Sequence, residues 1–379
     1  MKLIEQLWDR FGTITVNDVP PDVVSVASHC ILDWFACATA GANEPLAAIL
    51  REEFADYSGP CTVIGTSRTM PPLQAALVNG AIGHALDFDD THTIMGGHPT
   101  VPMFPAAWAL AEELDASGPQ LLAAFVAGFE IESRLGAGIG REHYSKGWHQ
   151  TSTIGVFGAA AASAHLLCLD GQRFGHAIGL AASQSSGLKA NFGTMTKPFH
   201  AGHAAERGLL AARLASRGFT ANPDALQANQ GLAQAAGGGT FRSDRLDRLG
   251  DEWLMPFTLF KYHAACYLTH AAIEATSALV AEHAEETVRA VYLTVNPSII
   301  DVCGIANPRT GLEGKFSLRA TAALTVLGLD TADPATFVDP VIGGANVQSM
   351  LQKVRVETDP GIADTQTQVT LITDSGEHT

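Results

Sequence analysis

The chain has 379 residues, a formal net charge of −16, and a composition that is 46% hydrophobic but only 16% charged, below the charged share of about 25% usual in globular domains. Its length suggests two or three domains, and so little charge places much of the chain in an interior or between subunits. The acidic balance, with no clustered run of Lys and Arg, excludes nucleic acid as a partner.

The same balance makes a lysine in an apolar stretch conspicuous, because a buried ammonium needs a partner, and a bound anion is one. Cysteines stand at 30, 37, 61, 168, 266 and 303, with no Cys-x-x-Cys pair, which reads as buried reduced thiols in a cytoplasmic protein. The N-terminus reads as an amphipathic helix without a signal-peptide core. No apolar run approaches the roughly 18 residues of a membrane span, so no membrane is expected.

In chain order, residues 2–11 form a first short helix, and 23–40 a second that ends at Gly41-Ala42-Asn43. Residues 45–56 are helical and 61–66 β-like. The spacing of Leu73, Ala76, Leu77, Gly80 and Ala81 predicts a helix over 71–86. It delivers His84 and Asp87 at its C-terminal end, ahead of a loop loosened by Gly96-Gly97. Helices follow over 102–114 and 119–135. A Gly-Trp-His-Gln-Thr loop at 147–151 leads into helices over 153–169 and 172–186. Residues 189–200 read as a Gly-, Thr- and Lys-bearing loop, 204–217 as a helix, and 229–248 as a surface loop. Beyond residue 258 the pattern changes. A helix over 266–283 is followed by alternating, strand-like runs at 287–296, 353–358 and 367–373, with a helix over 315–327 between them. The expected fold is mainly α: a large all-helical domain over 1–258 and a smaller α+β domain over 259–379.

The densest chemistry lies between His84 and Pro99, where Asp87, Asp89 and Asp90 stand with His84, His92 and His98 and the hydroxyls of Thr91 and Thr93. One Asp at a helix end is explained by capping and turn formation; three carboxylates and three imidazoles are not. An Mg²⁺ site of the aspartate-rich kind lacks a further aspartate and a second motif downstream. A zinc or iron site on His84, Asp87 and His98, as in a metal-dependent hydrolase, lacks a supporting helix pair such as His-Glu-x-x-His. Metal-free acid–base chemistry, with carboxylate and imidazole tuned by burial, is the third reading. Lys197 and Lys261 are each either a surface lysine or a cation for a substrate carboxylate, and spacing leaves both open. His149 is either a satisfied histidine at a helix start or a site residue. Cys266 reads as a packed thiol before a nucleophile, with His270 on its helix face. Gly237-Gly238-Gly239-Thr240 matches no phosphate-binding pattern, so no nucleotide cofactor is expected.

These blocks resemble the MmgE/PrpD family, whose members include 2-methylcitrate dehydratase, cis-aconitate decarboxylase and iminodisuccinate epimerase. The resemblance runs through Asn79-Gly80, His84-Ala-Leu-Asp-Phe-Asp-Asp-Thr-His92, His98-Pro99 and Gly147-Trp148-His149. It continues through Ser183-Gln184-Ser185-Ser186-Gly187, Thr196-Lys-Pro-Phe-His-Ala-Gly202, Lys261-Tyr262 with His270, and Gly314-Lys-Phe-Ser317. It covers nearly the whole chain. It implies a helical domain with an α+β lid, a homodimer, no metal and no organic cofactor, and a small polycarboxylate substrate.

Carried over by position, the resemblance implies a site of Asp87, Thr91, His98, Lys197 and Lys261; His149, Cys266 and Gln184 are further candidate substrate-binding residues. Asp89, Asp90 and His92 would then shape the helix end and loop. Two positions depart from the decarboxylase pattern: Cys266 stands where those members carry a histidine, and Ala320 where they carry a tyrosine. Family chains usually run on beyond the lid, so this chain reads as truncated at its C-terminus. The expected activity is a cofactor-independent lyase of the 2-methylcitrate dehydratase type. An epimerase or a cis-aconitate decarboxylase is the alternative within the family.

Overall fold

The computed structural model describes residues 3–249 and 251–379. The fold is mainly α, as the sequence pattern indicates. The chain divides into two compact units. The first comprises Met1–Ala85, Asp89–Ala190 and Thr196–Phe260; the second comprises Leu86–Phe88, Asn191–Met195 and Lys261–Thr379.

The first unit is a stack of helices whose starts are written locally. Pro21, Pro45 and Pro72 each open a helix, where the missing N–H costs nothing and φ is already helical. Ser117 caps the Gly118–Ile139 helix in a capping box with Gln120, and the Asp170 side chain accepts from the Arg173 N–H at the start of Gly171–Gln184. These helices bury two apolar clusters. One is built around Trp34, Phe104 and Phe125, the other around Trp8, Phe157 and Phe174. The Gly155–Leu166 helix is buried through to Ala164, which its Ala-rich sequence permits.

The Pro21–Gly41 helix departs from expectation. An 18-residue window of it has a mean hydropathy of 1.4, long and apolar enough to cross a membrane by length and composition. One face of it, with Val23, Ala27, Cys30, Trp34 and Ala38, lies in the core.

Other differences are local. The 61–66 stretch contributes only Cys61–Thr62, paired antiparallel with Thr69–Met70. Residues 229–248, expected as loop, contain the helix Leu232–Ala236 and part of Ser243–Leu249. The expected loop around Lys197 is the first turn of a long helix, Thr196–Ser216. Pro198 is tolerated there because it lies within the helix's first turn.

The second unit holds a four-stranded sheet in the order Val354–Thr358, Ala290–Val295, Thr367–Ile372, Glu377–His378. The first pair is parallel and the others antiparallel, with Val291 opposite Val354 and Leu371. Val291, Leu293, Val295, Val369 and Leu371 are buried, the period-2 pattern of a sheet with one covered face. Helices His270–Glu282 and Leu318–Val326 pack on it. The expected helix over 266–283 begins only at His270, after a 3₁₀ turn at Tyr267–Thr269. Cys266 is therefore extended, with φ −54° and ψ 132°, and does not share a helix face with His270. The helix expected from Lys315 starts at Leu318, capped by the Ser317 hydroxyl accepting from the Ala320 N–H at 3.1 Å.

Candidate active site

In the first unit, two helices fix the central contact. Pro72–Gly83 ends at His84, its C-cap residue, and Thr196–Ser216 carries Lys197 in its first turn. The two helices touch backbone to backbone at a pair of glycines. A Cβ on Gly80 would lie 2.8 Å from the Gly202 Cα, and one on Gly202 would lie 2.1 Å from the Leu77 carbonyl oxygen. Neither position has room for a side chain, so the glycines set the separation at which Lys197 Nζ lies 2.6 Å from His84 Nε2.

The ring of His84 is in turn held from behind. Its Nδ1 lies 2.8 Å from Asp89 Oδ1. A carboxylate accepts, so Nδ1 carries the proton, and Nε2 is left to accept from the Lys197 ammonium. Burial, reinforced by Lys197 and opposed by Asp89, lowers the His84 pKa to about 3, so the ring is neutral at pH 7 and the tautomer is defined. The other Asp89 oxygen lies 3.0 Å from His98 Nδ1. Burial alone would raise the Asp89 carboxyl; His84 and His98 outweigh it and hold it well below the usual carboxylate range. The His84 and His98 rings meet edge to face at 4.5 Å. The His98 side chain keeps 12% of its exposure, whereas those of His84 and Asp89 keep 0% and 1%, so of these three His98 alone opens outward.

His149 completes the cluster from a different element. It is the N-cap of the short helix Gln150–Thr153, and its N–H donates to the Gly187 carbonyl at 3.0 Å. Its ring stacks on that of His84 at 6.0 Å, and its Nδ1 lies 3.1 Å from His200 Nδ1. Burial first, then Lys197, pushes the His149 pKa well below the usual imidazole value, and the same causes lower His200 to about 4. Next to it, the Thr151 hydroxyl accepts from the His98 N–H at 3.2 Å.

The second unit holds the other predicted residues. Lys261 Nζ donates to the Asp87 carbonyl oxygen at 2.6 Å and lies 3.3 Å from its carboxylate Oδ1. Both side chains are almost wholly buried. The Cys266 thiol hydrogen-bonds with Cys303, which is the leading cause of a lowered Cys266 pKa; burial opposes it, and Lys261 adds to it. All six cysteines are free thiols, with Cys168 exposed and Cys266 half-buried. His270 is held neutral, burial first and Lys261 second lowering it to about 3.

The predicted residues thus fall in two groups. His98, Lys197 and His149 come together in the first unit, and Asp87, Lys261 and Cys266 in the second. Thr91 sits in a two-residue strand paired with Leu259, its hydroxyl donating to the Gly97 carbonyl at 3.2 Å. Gln184 ends the Gly171–Gln184 helix, and its hydrogen bond goes to the Arg207 carbonyl at 3.4 Å rather than to a member of either group.

The sequence pattern places His84 only in the metal-site reading and leaves Asp89 and His200 out of the site. Asp89 does not shape a helix end; it bridges two imidazoles. Asp90 and His92 do hold backbone and neighbours in place. The Thr100 hydroxyl donates to Asp90 at 2.5 Å, and His92 joins the Leu254 carbonyl at 2.9 Å. A usable signal for His200 is its i+3 position from Lys197, which puts both on one helix face.

His84, Asp89 and His98 are metal-ligand types, but the donor set fits a cation poorly. The lone pair a metal would need on His84 Nε2 faces an ammonium at 2.6 Å, and Nδ1 is committed to Asp89. What the arrangement offers instead is a buried cation held by a neutral ring, beside imidazoles able to move protons.

Comparison with known proteins agrees over most of the chain. Residues 5–243 match the MmgE/PrpD N-terminal domain and residues 263–379 the MmgE/PrpD C-terminal domain. The chain is 32% identical over 281 residues to the cis-aconitate decarboxylase-like protein oryM of Aspergillus oryzae, covering 69% of this chain and 58% of that protein. It is 29% identical over 342 residues to the cis-aconitate decarboxylase of Aspergillus terreus, covering 83% and 70%. It is also 29% identical over 391 residues to that of Homo sapiens, covering 94% and 78%. The matched stretches therefore span between 58% and 78% of the length of these relatives.

Proposed function

Because the chain belongs to the MmgE/PrpD family, we propose that it is a cofactor-independent lyase that removes a proton next to a carboxylate of a small di- or tricarboxylate. The observation that carries this reading is the buried series Asp89–His84–Lys197. A neutral imidazole holds the ammonium in place, as a group to meet a substrate carboxylate and the negative charge that builds on it during proton removal. His98 is one candidate base; Asp87, held on Lys261, is the other. His149 and Thr91 serve to orient substrate or assist a leaving group.

The names of the relatives make cis-aconitate the first substrate to test. Against decarboxylation stand a thiol at Cys266 and a methyl group at Ala320, which is fully buried in its helix and offers no hydroxyl. These favour dehydration of a 2-methylcitrate-type substrate. An epimerase uses the same proton abstraction and returns the proton to the opposite face. A homodimer belongs to the same proposal, and light scattering tests it.

The decisive experiment is a thermal-shift screen of citrate, 2-methylcitrate, cis-aconitate and iminodisuccinate, followed by NMR of each binder in deuterated water. A new alkene with loss of water means dehydration, loss of carbon dioxide means decarboxylation, and deuterium uptake without net conversion means epimerisation. The absence of both binding and exchange with all four would refute the proposal.

A further inference from the structure

Two buried lysines grip successive backbone carbonyls at Asp87. Lys261 Nζ donates to the Asp87 carbonyl oxygen at 2.6 Å; Lys315 Nζ donates to that of Leu86 at 2.7 Å and to that of Ala264 at 2.6 Å. Lys315 is 2% exposed, and its Nζ also lies 4.8 Å above the Phe337 ring. Its own backbone is fixed, with the carbonyl accepting from the Cys266 N–H at 3.0 Å. Next to the gripped Leu86 carbonyl, Asp87 adopts φ +50°. This is the left-handed region that glycine enters freely and other residues enter at a cost. In that conformation the Asp87 carboxylate reaches Lys261. Burying an ammonium is costly unless charge-assisted hydrogen bonds repay it, and here one of the two Lys315 bonds ends on the peptide unit that precedes Asp87.

We propose that Lys315 is a positioning residue that acts through Asp87: by holding the Leu86 carbonyl it keeps Asp87 left-handed and its carboxylate presented. The inference rests on the reading of Asp87 as a base, and it adds Lys315, acting through that residue, to the working parts of the enzyme.

The test compares wild type, Lys315→Met, Lys315→Gln, Asp87→Gly and the Asp87→Gly/Lys315→Met double variant, by thermal melting and by turnover of whichever polycarboxylate the wild type converts. Lys315→Met keeps the apolar stem and removes the donor; Lys315→Gln returns one donor. Lys315→Met is expected to lower kcat at least about tenfold with KM changed less than about threefold, and Lys315→Gln to recover part of the loss. The melting loss caused by Lys315→Met is expected to shrink by at least about half in the Asp87→Gly background, because glycine holds the left-handed conformation unaided. Equal melting losses in both backgrounds would overturn the proposal whatever the activity, as would wild-type kcat in Lys315→Met. If the wild type converts no polycarboxylate, the reading of Asp87 as base fails by itself, and the melting comparison still decides the role of Lys315. If Lys315→Met does not fold, Lys315→Gln takes its place in both backgrounds.

Discussion

Gly202→Ala tests whether the separation of two helices sets the chemistry. The added Cβ would lie 2.1 Å from the Leu77 carbonyl oxygen and 2.9 Å from the Ala81 nitrogen, about 1.3 Å short of the 3.4 Å at which ordinary contact begins. Both neighbours are helix backbone, so a rotamer change cannot relieve the clash, and the helices must part. Overpacking of this kind costs about 1–3 kcal/mol. For a unit of this size about 2 kcal/mol corresponds to a fall of about 4–8 °C in Tm. Lys197 lies five residues before Gly202 on the same helix, about 7.5 Å along its axis. A shift near 1 Å there stretches the 2.6 Å Lys197–His84 contact beyond hydrogen-bond range. Misplacement on that scale costs up to about a hundredfold in rate. The assay is kcat/KM on the active polycarboxylate beside a melting curve. Gly118→Ala is the control, because a Cβ there meets nothing within 4 Å. A Gly202→Ala protein with unchanged Tm and kcat/KM would refute the argument that this backbone contact positions Lys197.

Other outcomes follow from the same geometry. Lys197→Ala should leave a folded protein and lower kcat/KM by at least about a hundredfold, of the order lost when one stabilising donor is removed from a developing charge; steady-state kinetics beside circular dichroism checks both. Burial lowers His84 to about 3 and His92, His143 and His200 to about 4. The unfolded chain therefore takes up these protons first, and stability should fall steadily as pH drops from about 6.5 towards 4. Melting curves across that window should show it, and a flat profile would contradict neutral buried rings. Glu132 has the opposite sign. Burial, with Asp90 adding to it, raises its pKa well above the ordinary 4.5, so it weakens the fold as pH rises above that value. Glu132→Met should raise Tm, and by more at pH 8 than at pH 5. Overnight dialysis against a chelator should leave turnover unchanged, since the Lys197 ammonium faces the nitrogen a metal would need.

Much of the helical scaffold is legible in the sequence because its signals are local. Apolar residues recur at helical spacing from Leu73 to Ala81, prolines open helices, and Ser117 and Asp170 cap them. The group at His84 is legible in part. The crowding of Asp and His between 84 and 98 stands out, and Lys197 stands out as a cation in an apolar stretch. Which carboxylate serves which imidazole does not, because Asp89 could meet either ring and only the turn of the chain after Gly83 brings it to both. The helix that carries Lys197 is legible only from Ala204 onward, although a proline at position 198 is compatible with a first turn. Lys315 lies in one of the resemblance blocks, but nothing local to it marks the contacts it makes. Its partners, the carbonyls of Leu86 and Ala264, lie 229 and 51 residues away, and backbone carbonyls leave no mark in a sequence.

The chain passes between the two units five times, at 85/86, 88/89, 190/191, 195/196 and 260/261. Neither unit can therefore be cut out as one continuous piece. A fragment ending near residue 258 would retain Asp87 but lose both ammonium groups that grip its backbone. Exchanging the α+β portion for that of a relative would leave Leu86–Phe88 and Asn191–Met195 behind as mismatched remnants. Recombination between family members is thus constrained to carry three separated stretches together, and a change of specificity by shuffling must move the tripeptide around Asp87 with the lysines that hold it.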